Sequence, residues 1–89
     1  MTSNTRVALD KEELRSLIAH VLDLDVEEIT DDADFVRDLE VDSLMVLEIV
    51  VRLQRQYGVK LEERDLTHVS SLPQVLRLIS DRRTEQLAA

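Results

Sequence analysis

The sequence contains no cysteine, only one glycine and one proline, and no apolar run of the length that a membrane span needs. The absence of cysteine excludes disulfide bonds, thiolate metal sites and a cysteine nucleophile. A transmembrane helix requires about 20 consecutive apolar residues, so the sequence predicts no membrane span. The segment from Met1 to Leu9 lacks the apolar region of a signal peptide, and we therefore predict a cytoplasmic protein.

Acidic side chains are abundant and are concentrated in the first half of the chain. The 19 acidic and 11 basic residues give a formal net charge of −8 at pH 7. The segment from Asp10 to Asp42 contains thirteen acids and three bases, whereas that from Ser43 to Ala89 contains six acids and seven bases. Nucleic-acid binding requires basic surfaces, so we predict no nucleic-acid partner. The acids either keep the chain in solution or steer partners towards it, and composition leaves both interpretations open.

Local signals predict a first helix over Lys11 to Leu22. Asp10 and Glu13 form a capping box of the D-x-x-E type at its start. Its apolar residues recur at the spacing of one helical face: Leu14, Leu17, Ile18, Val21 and Leu22. The acidic stretch 23–42 lacks such a period, and we predict a long ordered loop there with a short helical turn near Phe35.

A second long helix is predicted between Asp42, a good N-cap residue, and Gly58, a residue typical of the position after a helix C-terminus. Its predicted apolar face consists of Leu44, Leu47, Val50 and Val51.

The remaining elements are short or local. One helical turn is predicted at 62–66, and a capping box of Ser71 and Gln74 precedes a last helix that ends near Asp81. The sequence thus predicts one all-α domain over 10–81, with flexible tails at 1–9 and 82–89.

Catalytic and metal-binding motifs are lacking. The two histidines, His20 and His68, lie far apart in sequence and are predicted to have no chemical role. Four acids have the spacing of a calcium loop, but Glu28 stands where that loop needs glycine: Asp23, Asp25, Glu27 and Asp34. We therefore predict no dedicated metal site and no enzymatic activity.

The segment Leu39-Glu40-Val41-Asp42-Ser43-Leu44 is the most informative part of the sequence. It places Ser43 at the N-terminus of the second long helix, beside unpaired N–H groups and the positive end of the helix dipole. A phosphate on the Ser43 hydroxyl would be stabilised there. The alternative is that Ser43 only helps to start the helix.

This segment resembles the modification site of acyl carrier proteins, in which Asp-Ser-Leu opens the second of four helices. The similarity extends from Asp10 to Ile79 and includes three further stretches: Leu44-Met45-Val46-Leu47-Glu48, Gln56-Tyr57-Gly58-Val59 and Val69-Ser70-Ser71-Leu72. The resemblance implies a four-helix bundle with a long loop between helices 1 and 2 and a short helix 3. It also implies a 4′-phosphopantetheine arm, transferred from coenzyme A to Ser43.

The resemblance also implies the partners. A phosphopantetheinyl transferase would install the arm, and acyltransferases or ligases, ketosynthases and other biosynthetic enzymes would use the acyl groups held as thioesters on it. We expect a monomeric, free-standing carrier. Contacts with partners or with the arm are expected at Asp42, Leu44, Met45, Glu48 and Val51. An acyl cleft is expected among Leu47, Val50, Leu61, Leu66 and Val69.

Two departures from the family pattern bear on the pathway. Glu40 replaces the glycine of the common G-x-D-S pattern, and Glu48 is outnumbered by Arg52 and Arg55 on a helix that is usually acidic. Reduced acidity predicts a dedicated carrier of polyketide or other secondary-metabolite biosynthesis, rather than a general fatty-acid carrier.

Two alternatives remain open at this stage. An aminoacyl or peptidyl carrier would usually have Gly-Gly-x-Ser at the attachment point, where this chain has Val41-Asp42-Ser43. An unmodified acidic adaptor would bind partner helices through Met45 and Val51. The adaptor hypothesis predicts full activity for Ser43→Ala, whereas the carrier hypothesis predicts complete loss.

Overall fold

The computed structural model describes residues 9–88, and within them the regular structure is entirely helical. The α-helices are α1 (Lys11–Leu22), α2 (Phe35–Leu39), α3 (Ser43–Tyr57) and α4 (Leu72–Ala88). Two 3₁₀ helices, Val26–Glu28 and Glu63–His68, lie between them. The all-α prediction is confirmed, with Glu63–His68 as the short third helix of the bundle. No helix in this part of the chain is both long and apolar enough to cross a bilayer.

Helix α1 has the predicted bounds because its caps act locally. The Asp10 carboxylate accepts hydrogen bonds from the N–H groups of Glu12, at 2.8 Å, and Glu13, at 3.4 Å. The helix ends at Asp23, which adopts the left-handed conformation with φ 59°. Its buried face contains Leu14, Ile18, Ala19 and Leu22.

The long segment between α1 and α3 is held in place at two points along its length. Arg15 of α1 donates to the carbonyl oxygen of Ile29 and lies 2.8 Å from the carboxylate of Asp31. Further along, the fully buried Phe35 donates its backbone N–H to the carbonyl oxygen of Ser70 at 2.8 Å. The predicted ordered loop and its helical turn near Phe35 are both confirmed.

Helix α3 buries a different face from the predicted one. Its buried side chains are Ile49, Val50, Leu53 and Tyr57, which follow the 3.6-residue period. Of the predicted apolar face only Val50 is buried, whereas Leu44, Leu47 and Val51 are 68%, 48% and 41% exposed. Exposure of Leu44 and Val51 agrees with their expected role as contact residues. The buried face was not predicted because α3 is apolar on two faces, and its sequence alone does not show which one meets α1 and the second 3₁₀ helix.

Helix α3 ends as predicted. Gly58 takes the left-handed conformation with φ 65°, and its N–H donates to the carbonyl oxygen of Gln54 at 3.0 Å. A side chain at this position would be strained by the positive φ even though the surrounding space is open.

Helix α4 continues to Ala88, past its predicted end near Asp81. Two long-range contacts stabilise the extra turns: Arg82 binds the carboxylate of Asp65, and Gln86 exchanges two hydrogen bonds with the backbone of Lys60. Sequence reasoning ended this helix too early because both contacts join segments distant in sequence. The predicted tail at 1–9 lies, apart from Leu9, outside the described residues, as does Ala89.

Candidate functional site

Ser43 is the first residue of α3, and its side chain is exposed. The preceding residues fix this position. Val41 is 3% exposed, and its N–H donates to the carbonyl oxygen of Phe35 at 2.9 Å. Glu40 has a left-handed φ of 55°, and Asp42 is extended. The backbone therefore places the Val41 side chain in the core and the Ser43 side chain on the surface.

Asp42 caps the helix that Ser43 begins, as predicted. Its carboxylate Oδ1 accepts the N–H of Met45 at 2.9 Å, and its backbone carbonyl accepts the N–H of Val46 at 3.0 Å. The N–H groups of Ser43 and Leu44 have no acceptor within the helix, because the first turn of an α-helix leaves its donors unpaired. These two N–H groups lie at the positive end of a 15-residue helix dipole.

This geometry fits a phosphodiester on the Ser43 hydroxyl. The hydroxyl is accessible, and the two unpaired N–H groups can donate to phosphate oxygens. The nearby Asp42 carboxylate opposes the phosphate charge, but its Oδ1 already accepts the Met45 N–H. An exposed oxygen nucleophile beside fixed N–H donors can therefore carry a phosphate-linked group without any change in the core.

The predicted contact residues lie around this point. Asp42, Leu44, Glu48 and Val51 are all exposed and are available to a partner. Met45, the fifth expected contact residue, is half-buried against the core. Its N–H is held by the Asp42 cap, and its side chain is held by the core.

The residues predicted to form an acyl cleft lie in different environments. Val50, Leu61 and Val69 are 5%, 8% and 2% exposed and belong to the hydrophobic core. Leu66 is half-buried at the edge of that core, whereas Leu47 is on the surface. A cleft among them would require core side chains to move apart, and it stays a prediction.

Leu47 instead lines a groove between α1 and α3 that sequence reasoning did not find. The groove has a volume of about 400 Å³ and is lined by His20, Val21, Leu47, Glu48, Val51 and Arg52. The sequence indicates an apolar surface here only by its spacing: Leu44, Leu47 and Val51 follow Ser43 at one, four and eight positions. The sequence does not show the groove itself, because the packing of α1 against α3 is a tertiary contact.

Two of the four acids with calcium-loop spacing, Asp25 and Asp34, cap helices. Asp25 and Glu28 form the capping box of the first 3₁₀ helix, and Asp34 caps α2. Among residues 9–88, no cluster of three or more histidine, cysteine or carboxylate side chains has the arrangement of a metal site. The exposed His20 and His68 lie in the last turns of two different helices and line two different grooves.

Comparison with known proteins identifies the family. A family model described as "Phosphopantetheine attachment site" matches residues 12–79. The chain is 57% identical over 82 residues to "Polyketide-8 synthase acyl carrier protein 2" of Streptomyces avermitilis, a match that covers 92% of this chain and 94% of the relative. It is 31% identical over 72 residues to an acyl carrier protein of Helicobacter pylori, covering 81% of this chain and 92% of that one.

A solved structure agrees with this assignment. The solution structure of the apo doublet acyl carrier protein from prodigiosin biosynthesis matches with a TM-score of 0.71 and 25% identity. The match covers 81% of this chain and 35% of that chain, so this protein spans about a third of its length. The fold, the family match and these relatives show that the chain belongs to the phosphopantetheine-binding family of acyl carrier proteins, which are non-catalytic carriers with 4′-phosphopantetheine as their covalent cofactor.

Proposed function

We propose that Ser43 is the attachment residue and that the chain carries polyketide intermediates on it as thioesters. The observation that supports Ser43 most directly is its position: an exposed hydroxyl at the start of α3, next to two N–H groups without helical acceptors. Ser71 lies near the start of another long helix, but its hydroxyl already accepts the N–H of Gln74 and is only half-exposed.

The residues of this chain have defined roles in the proposed function. The Ser43 Oγ anchors the arm, and the N–H groups of Ser43 and Leu44 orient the phosphate oxygens. Asp42 maintains the helix start that presents both N–H groups. When bound, phosphopantetheine supplies a terminal thiol that holds the acyl group as a thioester.

Two observations support a polyketide pathway. The relative with 57% identity is named as a carrier of a polyketide synthase. In addition, α3 carries Arg52 and Arg55 against the single acid Glu48, a charge pattern suited to dedicated partners. The proposed partners are a phosphopantetheinyl transferase, an acyltransferase or ligase, and a ketosynthase, all acting in the cytoplasm.

The first experiment measures intact mass after incubation with coenzyme A, Mg²⁺ and a phosphopantetheinyl transferase of broad specificity. We expect the wild type to gain the mass of one phosphopantetheine and Ser43→Ala to gain nothing. Ser80→Ala is the matched control, because Ser80 is an exposed serine of α4 remote from any helix start. Absence of a mass gain on folded wild-type protein would contradict the proposal and favour the adaptor hypothesis.

The modified protein can then be used to test the pathway. It is loaded from malonyl-CoA by a malonyl transferase and mixed with an acetyl-primed ketosynthase of polyketide or fatty-acid origin. Chain extension, in which the acetyl group is joined to the malonyl unit with loss of CO₂, is followed by mass. Extension by the polyketide enzyme is the expected result. Extension only by the fatty-acid enzyme would contradict the proposed pathway while leaving Ser43 as the attachment residue.

A further inference from the structure

Three residues in the described part of the chain have a left-handed backbone, and each of them ends a helix. Gly58 ends α3 with φ 65°, Asp23 ends α1 with φ 59°, and Glu40 ends α2 with φ 55°. Glycine adopts this conformation without strain, and aspartate tolerates it because its short side chain can bond locally. A glutamate is strained there by the approach of its Cβ to the following carbonyl oxygen. Glu40 is therefore the most strained of the three, and it lies three positions before Ser43.

The Glu40 side chain does not compensate for this strain. It is exposed, and among the residues that the structure describes its carboxylate accepts no hydrogen bond and forms no ion pair. The two neighbouring acids, by contrast, hold backbone groups: Asp38 accepts the N–H of Asp34 at 2.8 Å, and Asp42 accepts the N–H of Met45 at 2.9 Å. Glu40 thus adds strain and like-charge repulsion to the isolated protein without a stabilising contact.

This unpaired carboxylate lies close to the attachment residue. Only Val41 and Asp42 separate Glu40 from Ser43, so the Cα atoms of Glu40 and Ser43 are at most about 11 Å apart. The Val41 side chain is buried and does not cover this surface. A phosphodiester on Ser43 would add a further negative charge beside Glu40 and Asp42. The modified protein would therefore attract a cationic side chain that contacts the phosphate and the Glu40 carboxylate together.

We propose that Glu40 is a recognition residue for the enzymes that use the loaded arm, and that it pairs with a cationic side chain of such an enzyme. The inference rests on the proposed attachment at Ser43. An arginine fits best, because its planar guanidinium binds carboxylates and phosphates in a bidentate manner. Strained backbone conformations cluster at functional sites, and the strain at Glu40 has no use within the isolated fold.

The partner is an enzyme that uses the arm rather than the transferase that installs it. The transferase must bring the pyrophosphate of coenzyme A to Ser43, and the Glu40 carboxylate opposes the approach of an anion. Once the arm is attached, the phosphodiester and Glu40 carry charges of the same sign and attract the same cation. Glu40 therefore favours the steps that follow attachment.

The test measures extension by the acetyl-primed polyketide ketosynthase, on protein whose loading has been verified by intact mass. Glu40→Gln keeps the side-chain length and the strain but removes the charge, whereas Glu40→Gly removes both. For both variants we expect kcat/KM for extension to fall about five-fold at low ionic strength, as expected for one exposed ion pair. The change should lie in the KM for the carrier, because a charge at the rim of an interface acts mainly on encounter. In about 0.5 M salt the difference from wild type should disappear.

Melting temperatures separate recognition from a structural role. Glu40→Gly should melt about 3 °C higher than wild type, because the released strain exceeds the extra freedom of glycine in the unfolded chain. Glu40→Gln keeps the strain and should show no such rise. Asp23→Gly makes the same change at the other left-handed acid and should give a smaller rise. Asp81→Asn removes an exposed acid of α4 and should leave extension unchanged.

The outcomes distinguish this inference from the proposed function. Unchanged extension of fully loaded Glu40→Gln and Glu40→Gly would overturn the inference and leave Glu40 as a strained surface residue. A loss confined to the loading reaction would overturn the assignment to enzymes that use the arm. Failure of the wild type to load counts against Ser43, and failure of the loaded wild type to be extended counts against the polyketide role. Either failure in the wild type would also overturn this inference, which rests on that function.

Discussion

Asp65 is 1% exposed and is the buried charged residue of the described core. Its carboxylate accepts two hydrogen bonds from Arg82, at 2.6 Å and 3.3 Å, and one from the N–H of Glu62 at 2.9 Å. The hydrogen bonds from Arg82 hold the pKa of Asp65 below its usual range, against the opposing effect of burial. The Asp65–Arg82 ion pair thus connects the second 3₁₀ helix, Glu63–His68, to α4.

We expect Arg82→Ala to lower the free energy of unfolding by about 2–3 kcal/mol. Removing one partner of a fully buried pair costs about 3–5 kcal/mol, and the estimate is reduced here because Arg82 remains 19% exposed. Urea denaturation at pH 7 measures the change. Arg77→Ala is the control, because Arg77 is an exposed arginine of the same helix and should change stability by about 0.5 kcal/mol or less.

Because the pKa of Asp65 is lowered, the difference in unfolding free energy between wild type and Arg82→Ala should depend on pH. The contribution of the pair is fully present above the unfolded aspartate pKa of about 3.9 and is lost as the pH falls through the lower folded value. The gap in stability between wild type and Arg82→Ala should therefore shrink in acid. A gap that stays constant from neutral pH to about pH 2.5 would contradict this account of the ion pair.

At the scale of elements, the starts of α1 and α3 were predicted correctly, whereas the end of α4 and the buried face of α3 were not. Asp10 and Asp42 accept hydrogen bonds from N–H groups only two or three residues away, so their caps can be found in the sequence. The end of α4 depends instead on Gln86, which accepts from the Lys60 N–H at 3.1 Å and donates to the Lys60 carbonyl at 3.0 Å. This pair connects residues 26 positions apart.

We expect Gln86→Ala to destabilise the protein by about 1 kcal/mol, because the two hydrogen bonds are exposed and each contributes modestly. The Lys60 amide should exchange its hydrogen faster, which hydrogen-exchange NMR measures directly. Gln56→Ala offers a matched control on the exposed side of α3. If Lys60 exchanged equally fast in wild type and Gln86→Ala, the contact would not stabilise this end of α4.

The whole molecule has an uneven charge distribution. The thirteen acids between Asp10 and Asp42 outnumber the three bases there, while the rest of the described chain is nearly balanced. Lys11 and Arg15 offset part of this charge: both pair with Asp31, at 2.5 Å and 2.8 Å. Hydrogen bonds from Lys11 and Arg15 lower the pKa of Asp31. Most of the other acids in this half face solvent and repel one another.

Added salt should therefore raise the melting temperature. Raising the ionic strength from about 10 mM to about 150 mM shortens the Debye length from about 30 Å to about 8 Å and screens this repulsion. We expect a rise of about 4 °C, equivalent to about 1 kcal/mol for a domain of this size. Mg²⁺ should have the same direction of effect, and thermal melts followed by circular dichroism provide the measurement.

The double variant Glu27→Gln, Asp32→Asn serves as the comparison, because both side chains are exposed and charged in the acidic half. It should melt at a higher temperature than wild type in low salt and respond less to added salt. An unchanged or lower melting temperature of the wild type in salt would show that repulsion does not limit its stability.

The sequence by itself determined the all-α class, the bounds of α1 and α3 and the position of Ser43 at the start of α3, because capping and helical spacing act within a few residues. Only the tertiary structure decided which apolar face of α3 is buried, where α4 ends and that a groove lies beside Leu47 and Val51. Each of these depends on contacts between residues distant in sequence. A helix that is apolar on two sides contains no local information about which side will meet its neighbours.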